Sequence, residues 1–229
     1  MERKEVGTLP SFSHFFDVLT ETKGVFLKAM LLTLELTVVS ILLGIVIGLF
    51  FALLKISKIK ILELISDTYV YLVRGTPLIV QIFILYFGIS GIFLLPDFWA
   101  ASFALALHNG AYISEILRGA IQAVDKGQME AGRSLGMTKA LTLRRIILPQ
   151  AFRRALPSLG NQFIIGLKDS SLAAFISMNE LFNVATTLGS NNFDEMTYLL
   201  IVAIYYLLLV ALMTFLVKRF ELKLAVSDR

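Results

Sequence analysis

The chain reads as an all-α integral membrane protein of about five transmembrane helices, with one polar, basic segment held at the cytoplasmic face. Three observations predict that class. Of 229 residues, 57% are hydrophobic, and the mean hydropathy is +0.78. Only 17% are charged, against roughly 25% in soluble globular domains. Uncharged apolar runs recur along the chain, and basic residues collect in particular connections. There is no cysteine, which excludes disulfides and thiolate metal sites, and the two histidines, His14 and His108, lie far apart.

The N-terminus, "MERKEVGTLPSFSHFF", has mixed charge and neither an apolar core nor a cleavage site, so it does not read as a signal peptide. The first span is predicted from about Val25 to Leu54, with no charge between Leu36 and Leu54. Gly44 and Gly48 form a G-x-x-x-G pattern suited to close helix packing. Glu35 lies inside this span and is expected at the outer interface or on a partner helix. The second span is predicted from an uncharged run, Gly75 to Leu95, with Gly75 and Pro77 breaking its start and Arg74 snorkelling. The third runs from Phe98 to about Ser114, with Trp99 as an outer-interface anchor. The fourth is Ala155 to Leu167, then Lys168 and Asp169 as an interruption, then Ser170 to Met178. The fifth runs from Met196 to Val217. Helices are expected because only they pair their own backbone groups in lipid.

Orientation follows from the basic residues. Lys55, Lys58 and Lys60 lie after the first span. Arg118, Lys126, Arg133, Lys139, Arg144, Arg145, Arg153 and Arg154 lie between the third and fourth, and Lys218, Arg219 and Lys223 follow the fifth. The stretch "SGIFLLPDF" carries only Asp97, and residues 179–196 carry Glu180, Asp194 and Glu195 without a base. The positive-inside rule places the central segment and the C-terminus in the cytoplasm, and five spans leave the N-terminus outside.

The central stretch "GQMEAGRSLGMTKALTLRRIILPQ" (127–150) predicts two short helices lying along the membrane face. Asp125 with Gln128 resembles a capping box for the first. Gly136 is a left-handed stop. Thr138 caps the second, which Pro149 is expected to end. Ala131, Gly132, Ser134 and Gly136 allow a partner's backbone to come close. On these physical grounds an amphipathic helix set against anionic headgroups explains the stretch equally well.

Glu130, Ala131, Gly136, Ile146, Leu148 and Pro149 fall on the Glu-Ala-Ala motif of bacterial ABC importer permeases, a glycine at 132 replacing the second alanine. "YLVRGTPLIVQIF" (71–83), "NGAYISEILRGAIQAVDKGQ" (109–128) and "LPSLGNQFIIGLKDSSLAAFI" (156–176) resemble the second, third and fourth spans of polar amino acid permeases. The resemblance is to the permease subunit of a polar amino acid importer of the histidine, glutamine, arginine or cystine type, with a type I importer fold. It implies a permease domain over 25–220, an extracytoplasmic segment over 1–24 and a cytoplasmic tail over 221–229. Residues 125–150 then form the coupling segment, and Gln128, Glu130, Ala131, Gly132, Ser134, Leu135, Gly136 and Met137 face the ATPase.

The implied partners are two ATPase subunits, an extracytoplasmic amino-acid-binding protein, a second permease copy or paralogue, a polar amino acid and membrane lipid, with no nucleic acid. No cofactor is expected on this chain. ATP and Mg belong to the ATPase, since no G-x-x-x-x-G-K-[ST] loop is present. Neither a metal site nor a catalytic set is expected. Polar groups inside spans mark bundle interiors or water-filled paths. Asn109, Gln81, Asn161, Asp169, Ser170 and Ser171 are therefore the candidate substrate path, with Asp169 as acceptor for an ammonium. Each of these side chains can instead serve packing. An ion-coupled carrier or channel subunit is the rival reading, with Lys168 and Asp169 as its ion-coupling pair.

Overall fold

The computed structural model describes residues 10–88 and 95–225. The reading of residues 1–9 as a non-signal segment, most of the outer connection before Asp97 and the last four residues lie outside that range. All elements among the described residues are helical. They are α1 (Phe12–Ile56), α2 (Lys60–Gly75), α3 (Leu78–Phe83) running into a π turn (Ile84–Gly88), α4 (Asp97–Gln122), α5 (Lys126–Ser134), α6 (Lys139–Thr142) followed by a π turn (Leu143–Ile147), α7 (Leu148–Asp169) followed by a 3₁₀ segment (Ser170–Ile176), α8 (Leu181–Asn192) and α9 (Glu195–Ala225).

Two helices are long and apolar enough to cross a bilayer on their own, Phe12–Ile56 and Glu195–Leu222. With α2 and the α3 unit counted as one bent span, there is a third. Helices α4 and α7, with 26 and 22 residues, reach about 39 and 33 Å at 1.5 Å per residue. That exceeds the roughly 30 Å hydrocarbon core. They carry more polar and small residues because α1 and α9 cover them.

The predicted spans need four corrections. First, α1 starts at Phe12 rather than near Val25; the hydroxyl of Ser11 caps it by accepting from the His14 N–H. Second, the "KISKIK" connection is short, and a 16-residue helix, α2, follows at Lys60. Its charges break the apolar run, so uncharged length alone does not reveal it, although its apolar residues keep helical period. The uncharged run from Gly75 starts instead at a bend of 106° between α2 and α3. Thr76 and Pro77 are extended there, as expected for a proline and its predecessor. Third, α7 continues through Lys168 and Asp169. The change to 3₁₀ comes at Ser170, where the hydroxyls of Ser170 and Ser171 donate back to the carbonyls of Leu167 and Lys168, both at 2.7 Å. Fourth, the connection after the fourth span contains α8, capped by the Glu180 carboxylate, which accepts from the N–H groups of Phe182 (2.9 Å) and Asn183 (2.7 Å).

The bend has a polar keystone. The Gln81 amide donates to the carbonyls of Val73 (2.8 Å) and Thr76 (3.0 Å), which the break leaves without helical partners, and its carbonyl lies 3.2 Å from His108 Nδ1 on α4. Gln81→Leu removes these bonds and leaves two carbonyls unmet. A loss of about 1–3 kcal/mol is expected, seen as a lower thermal midpoint of the detergent-solubilised protein. An unchanged midpoint would show that water satisfies the corner.

Packing is organised around α1 and α4. Gly44 and Gly48 lie against Ala106, Gly110 and Ile113, as the G-x-x-x-G pattern predicts. An apolar cluster of α1, α8 and α9 contains Phe26, Leu181 and Tyr205, with Phe26 and Tyr205 stacked at 5.2 Å. A second joins Leu36, Ile82 and Leu105. A third, at the end nearest the coupling segment, joins Ala52, Ile113 and Leu159. His14 and Asp194, 2.6 Å apart, tie the start of α1 to the α8–α9 corner.

Candidate functional site: the coupling segment and the polar residues of the spans

The segment between α4 and α7 is built from local signals. The Asp125 carboxylate accepts from the Gly127 N–H at 2.6 Å and starts α5. Gly136, at φ +80°, ends it. There the N–H of Met137 donates to the Gly132 carbonyl (3.1 Å) and that of Gly136 to Arg133 (3.0 Å). This pair of bonds is a Schellman closure. The Thr138 hydroxyl accepts from the Leu141 N–H at 3.2 Å and starts α6.

Pro149 does not end the second helix. The backbone passes from α6 through the π turn into α7 without a break, and Pro149 sits in the first turn of α7. Proline's ring clashes with the carbonyl four residues back and lacks the N–H that would bond it. The wide turn at Leu143–Ile147 relieves both defects.

Two side chains of α7 close this region. Arg154 on α7 donates to the carbonyl of Ala123 at the end of α4. Gln150 on α7 donates to the Gln128 side chain of α5 at 3.3 Å. Val124, Ile147 and Ala151 form a small apolar core beneath it, with Met129 and Leu143 packed on. Gln150 and this apolar core tie α5 to α7, and Arg154 ties α7 to the end of α4.

Of the residues expected to face the ATPase, Gln128, Glu130, Ala131, Ser134, Leu135 and Gly136 are exposed and Met137 is half-buried. Leu135 is 82% exposed, an unusual position for a leucine at a helix end. Gly132 is the exception: it is buried against α6. A Cβ there would stand 2.5 Å from Cγ2 of Thr142. The glycine that departs from the motif serves a contact within the segment.

The candidate path residues are bonded to different partners. Asn109 is fully buried on α4. Its amide donates to the Leu105 carbonyl (2.9 Å), and its oxygen accepts from Gln162 of α7 (2.8 Å). Gln81 is committed to the bend. Ser170 is fully buried and bonded to its own helix. Asn161 is exposed, and Asp169 and Ser171 are half-buried, all on or just past α7. Lys168 is exposed and forms no ion pair with Asp169 among the described residues.

The expected path residue Asn161 points outward, and its neighbour Gln162 is the one turned inward, onto Asn109. The signal was available: Ala155, Leu159, Gln162 and Gly166 are buried and spaced at helical period, which puts Gln162 inside and Asn161 outside. Tyr69 is not among the expected residues either. It donates to the Leu107 carbonyl at 2.6 Å and stacks on Phe51 at 3.8 Å, holding α2 against α1 and α4.

Three comparisons bear on this geometry. The family model described as "Binding-protein-dependent transport system inner membrane component" matches residues 44–226. The arginine transport system permease protein ArtQ of Bacillus subtilis strain 168 is 36% identical over 204 residues, 88% of this chain and 93% of that protein. The L-cystine transport system permease protein TcyB of the same strain is 43% identical over 174 residues, 76% of this chain and 74% of that protein. A crystal structure of an amino acid ABC transporter with histidines superposes with a TM-score of 0.84 and 36% identity, covering 94% of this chain and 100% of the other. The matched region contains the bent α2–α3 span, the α4–α7 pair and the whole Glu-Ala-Gly coupling segment. The chain therefore belongs to the family of binding-protein-dependent transport system inner membrane components.

Proposed function

We propose that the chain is the permease subunit of an ATP-driven importer for a polar amino acid, working with a separate ATPase and an extracytoplasmic binding protein. The observation that carries this reading is the coupling segment. It is an exposed, Schellman-closed helix with small residues on its free side, bonded to α7 through Gln150, while Arg154 ties α7 to the end of α4. An ion-coupled carrier needs no such lever. Relatives named for arginine and for cystine transport support an amino acid as cargo. The positive-inside rule supports a cytoplasmic position for α5 and α6, where a motor can reach them. Spans from a second copy or a paralogue complete the pathway. Nucleotide state acts by favouring one arrangement of α4 and α7, since a ligand shifts only those states it binds unequally. ATP and Mg bind the partner.

The test is co-purification with the ATPase, then ATP hydrolysis measured against a panel of amino acids with the binding protein present. Stimulation by a polar amino acid is expected; hydrolysis unaffected by every amino acid would sink the reading. Within the spans, Asp169 is the strongest remaining candidate for the ammonium, because it is half-buried with no ion pair among the described residues. Asp169→Asn is expected to lower uptake by about tenfold, an effect of about 1.4 kcal/mol, with ATPase assembly intact. Uptake at the original rate would remove Asp169 from the path.

A further inference from the structure

A groove of about 990 Å³ separates the α1–α2 corner from the coupling segment. That volume is at the upper end of the roughly 300–1,000 Å³ of small-ligand sites. Its floor is apolar and includes Leu53 and Ile56 at the end of α1, Ile121 at the end of α4, and Leu143. Lys55, Lys58, Lys126 and Lys139 line it as well, from three different stretches of chain. Two acids, Glu63 and Asp125, also lie in it. Asp125 is committed to the Gly127 N–H, and Lys55 to Asp67 at 2.6 Å. Lys58, Lys126 and Lys139 have no ion pair among the described residues.

We propose that this groove seats one anionic phospholipid of the cytoplasmic leaflet, with an acyl chain on the floor and the phosphate among Lys58, Lys126 and Lys139. The inference rests on the orientation and coupling role proposed above. The floor is made by the ends of two spans, which places it at headgroup depth. Each lysine near an anionic membrane surface adds to the attraction, so three together favour an anionic headgroup over a zwitterionic one. The backbone adds an independent observation. Lys58 turns the α1–α2 corner at φ 64°, a left-handed conformation that strains a side-chain-bearing residue and costs glycine nothing. The corner thus carries strain at a position whose side chain lines the groove.

The ATPase is the competing occupant, and the faces of α5 separate the two. Lys126 and Met129 line the groove, whereas Glu130, Ala131, Ser134 and Leu135 are exposed and lie outside it. The motor has its own side of the helix. A lipid in the groove would fill the space between the coupling segment and α1, so that a push on α5 meets packed matter there.

The experiment uses the permease–ATPase complex in nanodiscs of phosphatidylcholine alone or mixed with phosphatidylglycerol. Lipid kept after transfer to detergent is read by native mass spectrometry. Phosphatidylglycerol is expected to be retained over phosphatidylcholine. A Lys58→Gln/Lys126→Gln/Lys139→Gln variant is expected to lose at least tenfold of that retention. Equal retention of the two lipids, or of wild type and variant, overturns the proposal. Displacement of the lipid by inorganic phosphate that itself binds the delipidated complex would make this a phosphate site, and loss of lipid on ATPase assembly would make it part of the motor interface. Either outcome overturns the lipid assignment. Lys139→Cys, in a chain without any native cysteine, tests the orientation separately. Labelling from outside intact cells would sink the topology while leaving the retention result to stand.

Discussion

Gly132→Ala is expected to cut substrate-stimulated ATP hydrolysis by roughly tenfold, and Gly132→Ala with Thr142→Ala to restore most of it. The new Cβ would lie 2.5 Å from Cγ2 and 2.9 Å from Oγ1 of Thr142. Thr142 is fully buried, and its hydroxyl donates to the Thr138 carbonyl at 3.1 Å. Its β-branched side chain has few rotamers to escape into. Either it gives up that bond or α5 lifts away from α6. Overpacking of this kind costs about 1–3 kcal/mol, and 1.4 kcal/mol is a factor of ten. Alanine in a helix gains about 1 kcal/mol over glycine, which offsets part of the clash and leaves a net cost of up to about 2 kcal/mol. In the double variant the clash is relieved and the propensity gain remains. Full activity in Gly132→Ala alone would show that α6 yields freely and that the Gly132–Thr142 contact does not set the angle of α5.

That residue also marks the boundary of what the sequence makes legible. The glycine reads as a harmless small-volume replacement for the motif's second alanine. Its necessity comes from Thr142, ten positions on, which nothing local announces. The caps at Asp125, Gly136 and Thr138 are legible because each is satisfied within four residues of itself. Span lengths are less so. A search for uncharged runs passes over α2, whose Glu63 and Asp67 are spread along an amphipathic helix, and over α8, whose cap is a glutamate. The roles of polar residues in the spans depend on helix phase and on distant partners. Gln162 is recoverable from its period. The Glu180 carboxylate, which accepts from Tyr206 at 2.9 Å, and the Gln81–His108 contact are not, because they join segments 26 and 27 residues apart.

The second large effect is expected at Gly48. Gly48→Leu should destabilise the protein by about 3 kcal/mol or more, while Val46→Leu, at a site 68% exposed on the same helix, should leave it nearly unchanged. The measurement is the yield of folded protein in the membrane and its thermal midpoint after extraction. Even a single added carbon at Gly48 would stand 2.7 Å from Ile113 Cγ2 and 3.0 Å from the Gly110 carbonyl. Gly110 in turn admits the Tyr69 hydroxyl and Ile47, each within 2.9 Å of where its own Cβ would be. In lipid, helices are held by such close approach rather than by exclusion of water, so separating α1 from α4 removes the contact that takes the place of a hydrophobic core. The seam also bears on transport. Gly44 of α1 and Gly166 of α7 both lie against Asn109 of α4, and Asn109 is bonded to Gln162. On the proposed coupling route, motion of α7 received through Gln150 and shared with α4 through Arg154 would reach α1 only if those three helices stay in contact there. A Gly48→Leu protein that folds at wild-type yield, with an unchanged midpoint, would show that α1 is a loose cover, and the path from coupling segment to spans would then have to end at α4 and α7.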